Sequence, residues 1–267
     1  MSNTNVVEES YEKLQAEIEE LIKGWRKSIN ETAVVKESSF ELISSPLIPQ
    51  LDLEADMNQY HLFIIELFDF LAERQPENHE YCDILKENLT IDIVSKWFKE
   101  VITVNRYYFH AVAEQYQVPE WLPLFAAEQA ARPFLQKAAA ELETVLTKFQ
   151  HDPCCPACGE PARFAVVGKK GKKELTCPRC LHSREEKKLC CAHCGTEDHT
   201  QMIVMKVDGE EGAEIHGCQT CKGYTKVIDM RKLLKKETPA LMDIKTIHLD
   251  YIAQENGFGT AEDGKYH

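Results

Sequence analysis

The sequence has no long uninterrupted apolar run. Its densest apolar segment, from Leu62 to Leu71, is broken by Glu66 and Asp69, whereas a membrane-spanning helix needs roughly 20 mostly apolar residues. The first residues, Met-Ser-Asn-Thr, have neither the basic region nor the apolar region of a secretory signal. We therefore expect a protein without a membrane segment that is located in the cytoplasm.

Cysteine is nearly absent outside one short region. Ten of the eleven cysteines lie between Cys154 and Cys221, and the other, Cys82, is expected to be a buried structural thiol. Eight of the ten form pairs with two intervening residues, a spacing that lets both sulfurs of a tight turn face one metal ion. Without a secretory signal, such pairs favour reduced thiolates that bind metal over disulfides. The pairs are Cys155/Cys158, Cys177/Cys180, Cys191/Cys194 and Cys218/Cys221.

The cysteine region contains an internal repeat. One copy is CCPACGEPARFAVVGKKGKKELTCPRC and the other is CCAHCGTEDHTQMIVMKVDGEEGAEIHGCQTC. Both copies begin with Cys-Cys-x-x-Cys-Gly, continue through a β-branched segment and a glycine-containing turn, and end on a second Cys-x-x-Cys. Each copy is therefore expected to form one complete metal-binding ribbon.

The repeat predicts that consecutive pairs share a metal ion. The first site would use Cys155, Cys158, Cys177 and Cys180, and the second site Cys191, Cys194, Cys218 and Cys221. An interleaved arrangement is the alternative, but it would divide each copy between two ions. Four thiolates accept iron or zinc, so spacing alone does not decide between these metals.

Two features flank the cysteine pairs. Gly159 and Gly195 directly follow two of the turns, where a left-handed backbone conformation is expected. Cys154 and Cys190 directly precede two of the turns, and we interpret both as additional thiols packed near the sites. A redox or sulfur-handling function for these two thiols is the alternative.

The excess of acidic residues lies in the N-terminal half. Residues 1–153 contain 27 Asp/Glu and 13 Lys/Arg, whereas residues 154–230 contain 11 and 12. This charge disfavours a nucleic-acid backbone as the partner of the N-terminal half and favours a basic protein or peptide.

The fold class predicted from these patterns is α+β. Apolar residues at three- and four-residue spacing predict a bundle of helices in residues 1–150, with Pro133 expected to kink or divide the last one near Ala131. The predicted helices cover 7–29, 54–72, 79–86, 91–116 and 122–149. Two tandem rubredoxin-like or zinc-ribbon-like modules follow at 151–186 and 187–230, and residues 231–267 contain a C-terminal helix that ends near Gly257. The predicted strands are 163–167, 173–176, 202–207, 213–216 and 224–230.

Other side chains in the cysteine region suggest alternative functions. His182, His193, His199 and His216 could each replace a cysteine as a metal ligand, although eight thiolates already suffice. Lys169, Lys170, Lys172 and Lys173 form a basic turn that could bind nucleic acid, as zinc ribbons often do. No aromatic residue lies between these lysines, which favours a solvated loop.

Thiol–disulfide exchange is a further alternative for a Cys-x-x-Cys pair. It requires a pair at a helix start after a strand, with a lowered thiol pKa. No strand–helix pattern surrounds any of the four pairs, so dithiol catalysis is disfavoured.

The cysteine array resembles that of the formate dehydrogenase accessory protein FdhE family. The resemblance rests on four turns in this order, on the segment Gly223–Val227 after the last turn, and on DIKTIHLDYIAQENGF at 243–258. Ser183 and Arg184 stand where a Glu-Trp pair is expected, and Lys222 stands where glycine often follows the fourth turn.

The resemblance implies a cytoplasmic maturation factor and not an enzyme. Members of that family bind the molybdenum-containing catalytic subunit of formate dehydrogenase before its export on the twin-arginine route, and they hold iron in rubredoxin-like sites. The eight paired cysteines match the metal-binding residues of the family, which favours two iron ions over zinc. The acidic bundle could also receive the basic twin-arginine signal peptide.

Overall fold

A computed structural model of the chain describes residues 8–29, 34–35, 44–149, 152–187, 190–233 and 237–259. The chain divides into two compact units. One, the helical unit, consists of residues 17–38 and 48–141. The other, the cysteine unit, consists of residues 1–16, 39–47 and 142–267.

The helical unit is built on an aromatic core. The rings of Tyr60 and Phe98 meet edge to face at 5.0 Å, and Phe134 packs edge to face against Phe98 at 5.6 Å. The buried Tyr60 hydroxyl donates a hydrogen bond to the carbonyl of Ala127 at 3.0 Å, so its polar end is satisfied. The helices of the N-terminal region are α1 (Glu9–Ser28), α2 (Met57–Arg74), α3 (His79–Asn88), α4 (Ile91–Ile102), α5 (Arg106–Tyr116) and α6 (Trp121–Glu141).

The observed helices differ from the predicted ones at two places. The single helix predicted for 91–116 is wrong, because Val104 adopts a left-handed φ of 51° and the side chain of Asn105 caps a new helix by accepting from the Tyr108 N–H at 3.2 Å. Of the two outcomes predicted at Pro133, division is wrong, since α6 continues through it to Glu141, and a kink stays a prediction. A four-residue helix, α7 (Glu143–Leu146), follows in the cysteine unit.

The cysteine unit contains one six-stranded sheet, ordered β3-β2-β1-β6-β5-β4. The strands are β1 (Phe164–Val167), β2 (Lys173–Thr176), β3 (Ser183–Glu186), β4 (Met202–Lys206), β5 (Ala213–Cys218) and β6 (Tyr224–Asp229). Strands β1, β2 and β3 pair antiparallel and form the first ribbon, β4, β5 and β6 pair antiparallel and form the second, and β1 pairs parallel with β6. The two ribbons therefore join edge to edge, with Phe164 aligned with Lys226 and Val167 with Asp229.

The C-terminal helices pack against the second ribbon. They are α8 (Pro239–Lys245) and α9 (Ile247–Glu255), and Gly257 follows them with a φ of 79°. Leu249 of α9 is fully buried in an apolar cluster with Phe164, Ile215 and Phe258.

A buried ion network ties these helices to the sheet. Lys226 of β6 is fully buried, and its Nζ lies 2.7 Å from both Asp243 Oδ1 and Asp250 Oδ2. Tyr224 donates its hydroxyl to Asp250 at 2.8 Å, and Arg163 pairs with Asp243 at 3.3 Å. Burial alone would raise the pKa of Asp243, but the two cations outweigh burial and hold the pKa below its usual value.

The predicted α+β class is confirmed, with a helical N-terminal region, a cysteine-bearing sheet and C-terminal helices. Five predicted strands are present within two residues of their expected ends, and the polar strand β3 was not predicted. The predicted domain limits near 150, 186 and 230 stay predictions, and residues 150–151 and 260–267 lie outside the described part of the chain. None of the described helices is long and apolar enough to span a bilayer.

Candidate metal centres

The structure brings the eight paired cysteines together as two groups of four. In each group the sulfur atoms all lie within 4.8 Å of one another. The grouping follows the repeat copies and is not interleaved. The groups, hereafter the first and second clusters, are Cys155, Cys158, Cys177 and Cys180, and Cys191, Cys194, Cys218 and Cys221.

The spacing of the sulfurs fits a tetrahedral ion. Metal–sulfur bonds of about 2.3 Å place the sulfurs of a tetrahedron about 3.8 Å apart. In the first cluster Sγ–Sγ distances are 3.6 Å between Cys155 and Cys180 and 3.5 Å between Cys158 and Cys177. The corresponding distances in the second cluster are 3.6 and 3.8 Å. Each cluster could therefore hold one metal ion, and four thiolates suit iron and zinc alike.

All four cysteine turns share one backbone geometry. In each turn the N–H of the fourth residue after the first cysteine donates to the carbonyl of that cysteine, as from Gly159 to Cys155 at 2.8 Å. The first cysteine N–H in turn donates to the carbonyl five residues later, as from Cys191 to Thr196 at 3.0 Å. These two bonds recur at Cys177 and Cys218, so all four turns direct their sulfurs in the same way.

The residue after each turn adopts a left-handed conformation. Gly159 and Gly195 have φ values of 83° and 71°, as the sequence predicted. Leu181 and Lys222 occupy the same position in the other two turns with φ values of 61° and 63°. A residue with a Cβ is strained in this conformation. The turn geometry is therefore the same at Leu181 and Lys222, although a glycine would adopt it at lower cost.

The first cluster is enclosed, and all four of its cysteines are buried. Hydrogen bonds among the sulfurs hold the pKa of Cys158 well below that of an ordinary thiol, with a smaller contribution from the Arg179 guanidinium. Burial raises the pKa of Cys177. Arg179 also donates to the carbonyl of Cys158 at 3.3 Å. Of these thiols, only Cys158 is thus disposed to ionise by itself, and a bound cation would favour the thiolate form of the others.

The second cluster is partly open. Cys194 is exposed and Cys221 is half-buried, whereas Cys191 and Cys218 are buried. Burial raises the pKa of Cys221 to about 11, and backbone hydrogen bonds only partly oppose this effect. Backbone N–H groups of His193 and Gly223 approach the sulfurs of Cys191 and Cys221 at 3.4 Å, in positions that suit thiolates.

Cys154 and Cys190 belong to neither cluster. Cys190 is buried, and its thiol lies 3.7 Å from the carbonyls of Cys191 and Gly195. Burial raises the pKa of Cys190 to about 11 and also raises that of Cys154. Both residues are therefore neutral thiols packed beside the clusters, as predicted, and their raised pKa values disfavour nucleophilic chemistry.

The four histidines of the region belong to neither cluster. His182 lies 3.4 Å from Glu143, and His216 lies 2.8 Å from Glu214. The buried His193 places Nε2 2.7 Å from the Tyr224 carbonyl, and His199 is exposed. That these histidines serve as surface or supporting residues stays a prediction.

The lysine-rich turn is less basic than the sequence suggested. Lys169, Lys170 and Lys172 are exposed, with Lys172 paired to Glu185 at 2.7 Å. Lys173 is buried instead, and its Nζ donates to the Cys190 carbonyl at 3.2 Å. The sequence did not predict this contact or that of Arg179 with the Cys158 carbonyl. Two positions could have indicated them: Arg179 lies inside a cysteine turn, and Lys173 begins a predicted strand.

Similarity to known proteins supports the family resemblance. No protein-family model matches the chain. An FdhE homologue from Aquifex aeolicus is 30% identical over 119 residues, which is 42% of this chain and 42% of that protein. An FdhE homologue from Shewanella baltica is 28% identical over 115 residues, or 42% of this chain and 38% of that protein. The alignments thus span less than half the length of these relatives.

The fold comparison covers more of the chain. The crystal structure of the FdhE protein from Pseudomonas aeruginosa superposes with a TM-score of 0.64 at 15% identity, covering 92% of this chain and 85% of that one. At this identity the superposition establishes a shared fold. Over the aligned part of the chain, the sequence relatives support the resemblance to the FdhE family.

Proposed function

We propose that the chain is a non-enzymatic assembly factor that binds the catalytic subunit of formate dehydrogenase in the cytoplasm and supports its assembly before export. The observation that carries the proposal is the pair of four-cysteine clusters on one sheet, in a chain related to FdhE proteins.

Each cluster is proposed to hold one ion, with iron favoured and zinc as the alternative. Metal analysis and an absorption spectrum of the anaerobically purified chain test this proposal. Two equivalents of iron with thiolate-to-iron absorption are expected. Two equivalents of zinc, which is colourless, would support the platform and exclude iron, while fewer than one equivalent of any metal would contradict the sites.

Binding to the catalytic subunit tests the function itself. The tagged, metal-loaded chain is mixed with the purified, immature catalytic subunit and the complex is measured by size-exclusion chromatography. A stable complex is expected, and it should weaken when Cys158 is changed to serine. Cys154→Ser is the matched control, because Cys154 neighbours the first cluster without belonging to it. Absence of a complex with the wild-type chain would contradict the proposal.

The acidic N-terminal half, residues 1–153, is proposed to receive the basic signal peptide of that subunit. This proposal rests on the 27 acidic residues against 13 basic ones in residues 1–153. Binding of the synthetic signal peptide to the full chain should weaken at higher salt, since exposed charges are screened within about 8–10 Å. Affinity that does not change with salt would count against it.

The lysine-rich turn offers a test of the nucleic-acid alternative. Lys169, Lys170 and Lys172 are the exposed lysines to replace by glutamate. Retention of the chain on immobilised RNA or DNA, lost in this triple variant, would favour that alternative over the assembly factor.

A further inference from the structure

The two edges of the six-stranded sheet differ in chemistry. The edge strand β3 carries Ser-Arg-Glu-Glu, and charged side chains on an edge discourage pairing with another strand. The opposite edge strand β4 carries Met-Ile-Val-Met-Lys, with four apolar residues and no proline. Within the described part of the chain, only the β3 edge is therefore protected by charged side chains.

The outer backbone groups of β4 are identified by its register with β5. The Gln219 N–H donates to the Gln201 carbonyl at 2.8 Å, and the pairing continues without a bulge from Met202 to Lys206. Hydrogen-bonded pairs alternate along an antiparallel ladder, so Ile203 and Met205 direct their N–H and C=O groups to β5. Val204 and Lys206 direct theirs outward, and no described residue hydrogen-bonds to them.

The side chains of β4 are incompletely covered. Val204 is 41% exposed. Ile203 and Met205 pack against the apolar cluster beneath the sheet but are only partly buried. A further strand beside β4 would bond to the outward groups at Val204 and would cover these three apolar side chains.

The surrounding charge disfavours a second copy of the chain as that further strand. Residues 197–214 contain six Asp/Glu and one lysine. A symmetric antiparallel pair centred on Val204 would align Asp198 of one copy with Glu210 of the other, bringing like charges together. An acidic surround instead favours a strand whose ends are basic.

We propose that the outer edge of β4 binds an extended segment of the client protein, the catalytic subunit of formate dehydrogenase. The segment would have alternating apolar side chains flanked by lysine or arginine. Main-chain hydrogen bonds to Val204 and Lys206 would provide affinity, and the acidic residues around the edge would select basic ends. The identity of the client rests on the function proposed above, and the inference adds the surface and the mode of recognition.

A labelled peptide, Lys-Lys-Val-Thr-Val-Thr-Val-Lys-Lys, is the probe, and fluorescence anisotropy with the full, metal-loaded chain is the measurement. The test variant is Val204→Pro. Proline has no N–H and its ring blocks an incoming strand, but the Val204 N–H points away from β5, so the sheet keeps its hydrogen bonds. Val204→Thr is the matched control because it keeps the donor.

Wild type and Val204→Thr should bind the peptide, whereas Val204→Pro should bind at least tenfold more weakly. Wild type should also bind a peptide N-methylated at alternate residues at least tenfold more weakly than the unmodified peptide. This second comparison tests strand pairing at β4 even if Val204→Pro fails to fold. Equal binding of folded Val204→Pro, or of the N-methylated peptide, would overturn the inference. So would an acidic-ended peptide that binds as well as the basic one.

The same variant separates this inference from the proposed function. If the formate dehydrogenase catalytic subunit binds wild type and folded Val204→Pro equally well, the edge is not the docking surface although the function stands. If the subunit fails to bind wild type, the function fails, and the peptide measurements still decide whether β4 accepts a strand. Weaker binding of both subunit and peptide to Val204→Pro supports the inference in full.

Discussion

The two cysteine clusters have the same backbone geometry in their turns but differ in how far their cysteines are exposed to solvent. Each cluster is held by two turns with the same pair of backbone hydrogen bonds, yet the first is buried at all four cysteines and the second exposes Cys194. The repeat therefore encodes the turn, while residues outside the repeat decide how far each cluster is enclosed.

The additional cover of the first cluster comes from another part of the cysteine unit. The Leu47 N–H donates to the Pro156 carbonyl at 2.9 Å, and Leu47 itself is fully buried. A Cβ at Gly159 would lie 3.2 Å from the Pro46 ring, so this segment is packed closely onto the first turn. The first cluster is therefore shielded from solvent, whereas the second leaves Cys194 exposed to it.

Loss of one ligand should affect the first cluster more than the second. A structural four-cysteine site contributes on the order of 10 kcal/mol to folding when metal is bound. Cys158→Ser should remove one metal ion and abolish the cooperative thermal transition of the cysteine unit. Cys194→Ser should also remove one ion but keep a cooperative transition at lower temperature, because the enclosed cluster remains. Metal analysis and calorimetry measure both effects.

Cys154→Ser is the control for this pair, and it should keep two ions. Equal destabilisation by Cys158→Ser and Cys194→Ser would mean that burial does not distinguish the clusters. The enclosed cluster would then contribute no more to stability than the open one.

Replacing Lys226, the buried lysine on β6 where the two ribbons pair, should have the next largest effect on stability. Removing one partner of a buried ion pair typically costs about 3–5 kcal/mol, because the remaining charge is unpaired. Lys226→Met leaves Asp243 and Asp250 without their shared cation. The free energy of unfolding should fall by this amount in chemical denaturation. Lys206→Met on β4 is exposed and should change it by less than about 0.5 kcal/mol.

The sequence predicted best what local spacing determines. The four cysteine turns, Gly159 and Gly195, and the apolar strands β4 and β6 depend on neighbouring residues and were found where expected. The strand β3, Ser-Arg-Glu-Glu, has no alternation of apolar residues, and only its pairing with β2 makes it a strand. Tertiary pairing therefore supplied what local propensity could not.

Contacts between distant residues were beyond the sequence. The parallel pairing of β1 with β6 joins the two ribbons, although each copy was expected to be complete in itself. Lys226 looked like one surface lysine among many, yet it is buried because Asp243 and Asp250 follow on α8 and α9. The helix break at Val104 was hidden because apolar spacing continues across it.

Metal exchange gives a smaller but direct measure of the difference in exposure. A chelator must reach the ion or its ligands, so the zinc-loaded chain should release its two ions in separate phases. The phase assigned to the second cluster should be at least tenfold faster than the other, equivalent to a difference of about 1.4 kcal/mol in activation free energy. Rapid mixing with a chromogenic chelator measures the phases, and Cys194→Ser, which removes the open site, should eliminate the fast one. A single phase with two equivalents would contradict the prediction.

The smallest expected effect concerns the residue after the turns. Lys222 is held at a φ of 63°, where a side chain costs about 1–2 kcal/mol. Glycine removes that cost but loses about 0.5–1 kcal/mol through greater freedom in the unfolded chain. Lys222→Gly should therefore stabilise the metal-loaded protein by up to about 1 kcal/mol in chemical denaturation. Gly195→Ala is the matched opposite, because an added Cβ there meets no atom within 4 Å and only the backbone conformation is strained. If both substitutions shift stability in the same direction, left-handed strain is not what distinguishes these turns.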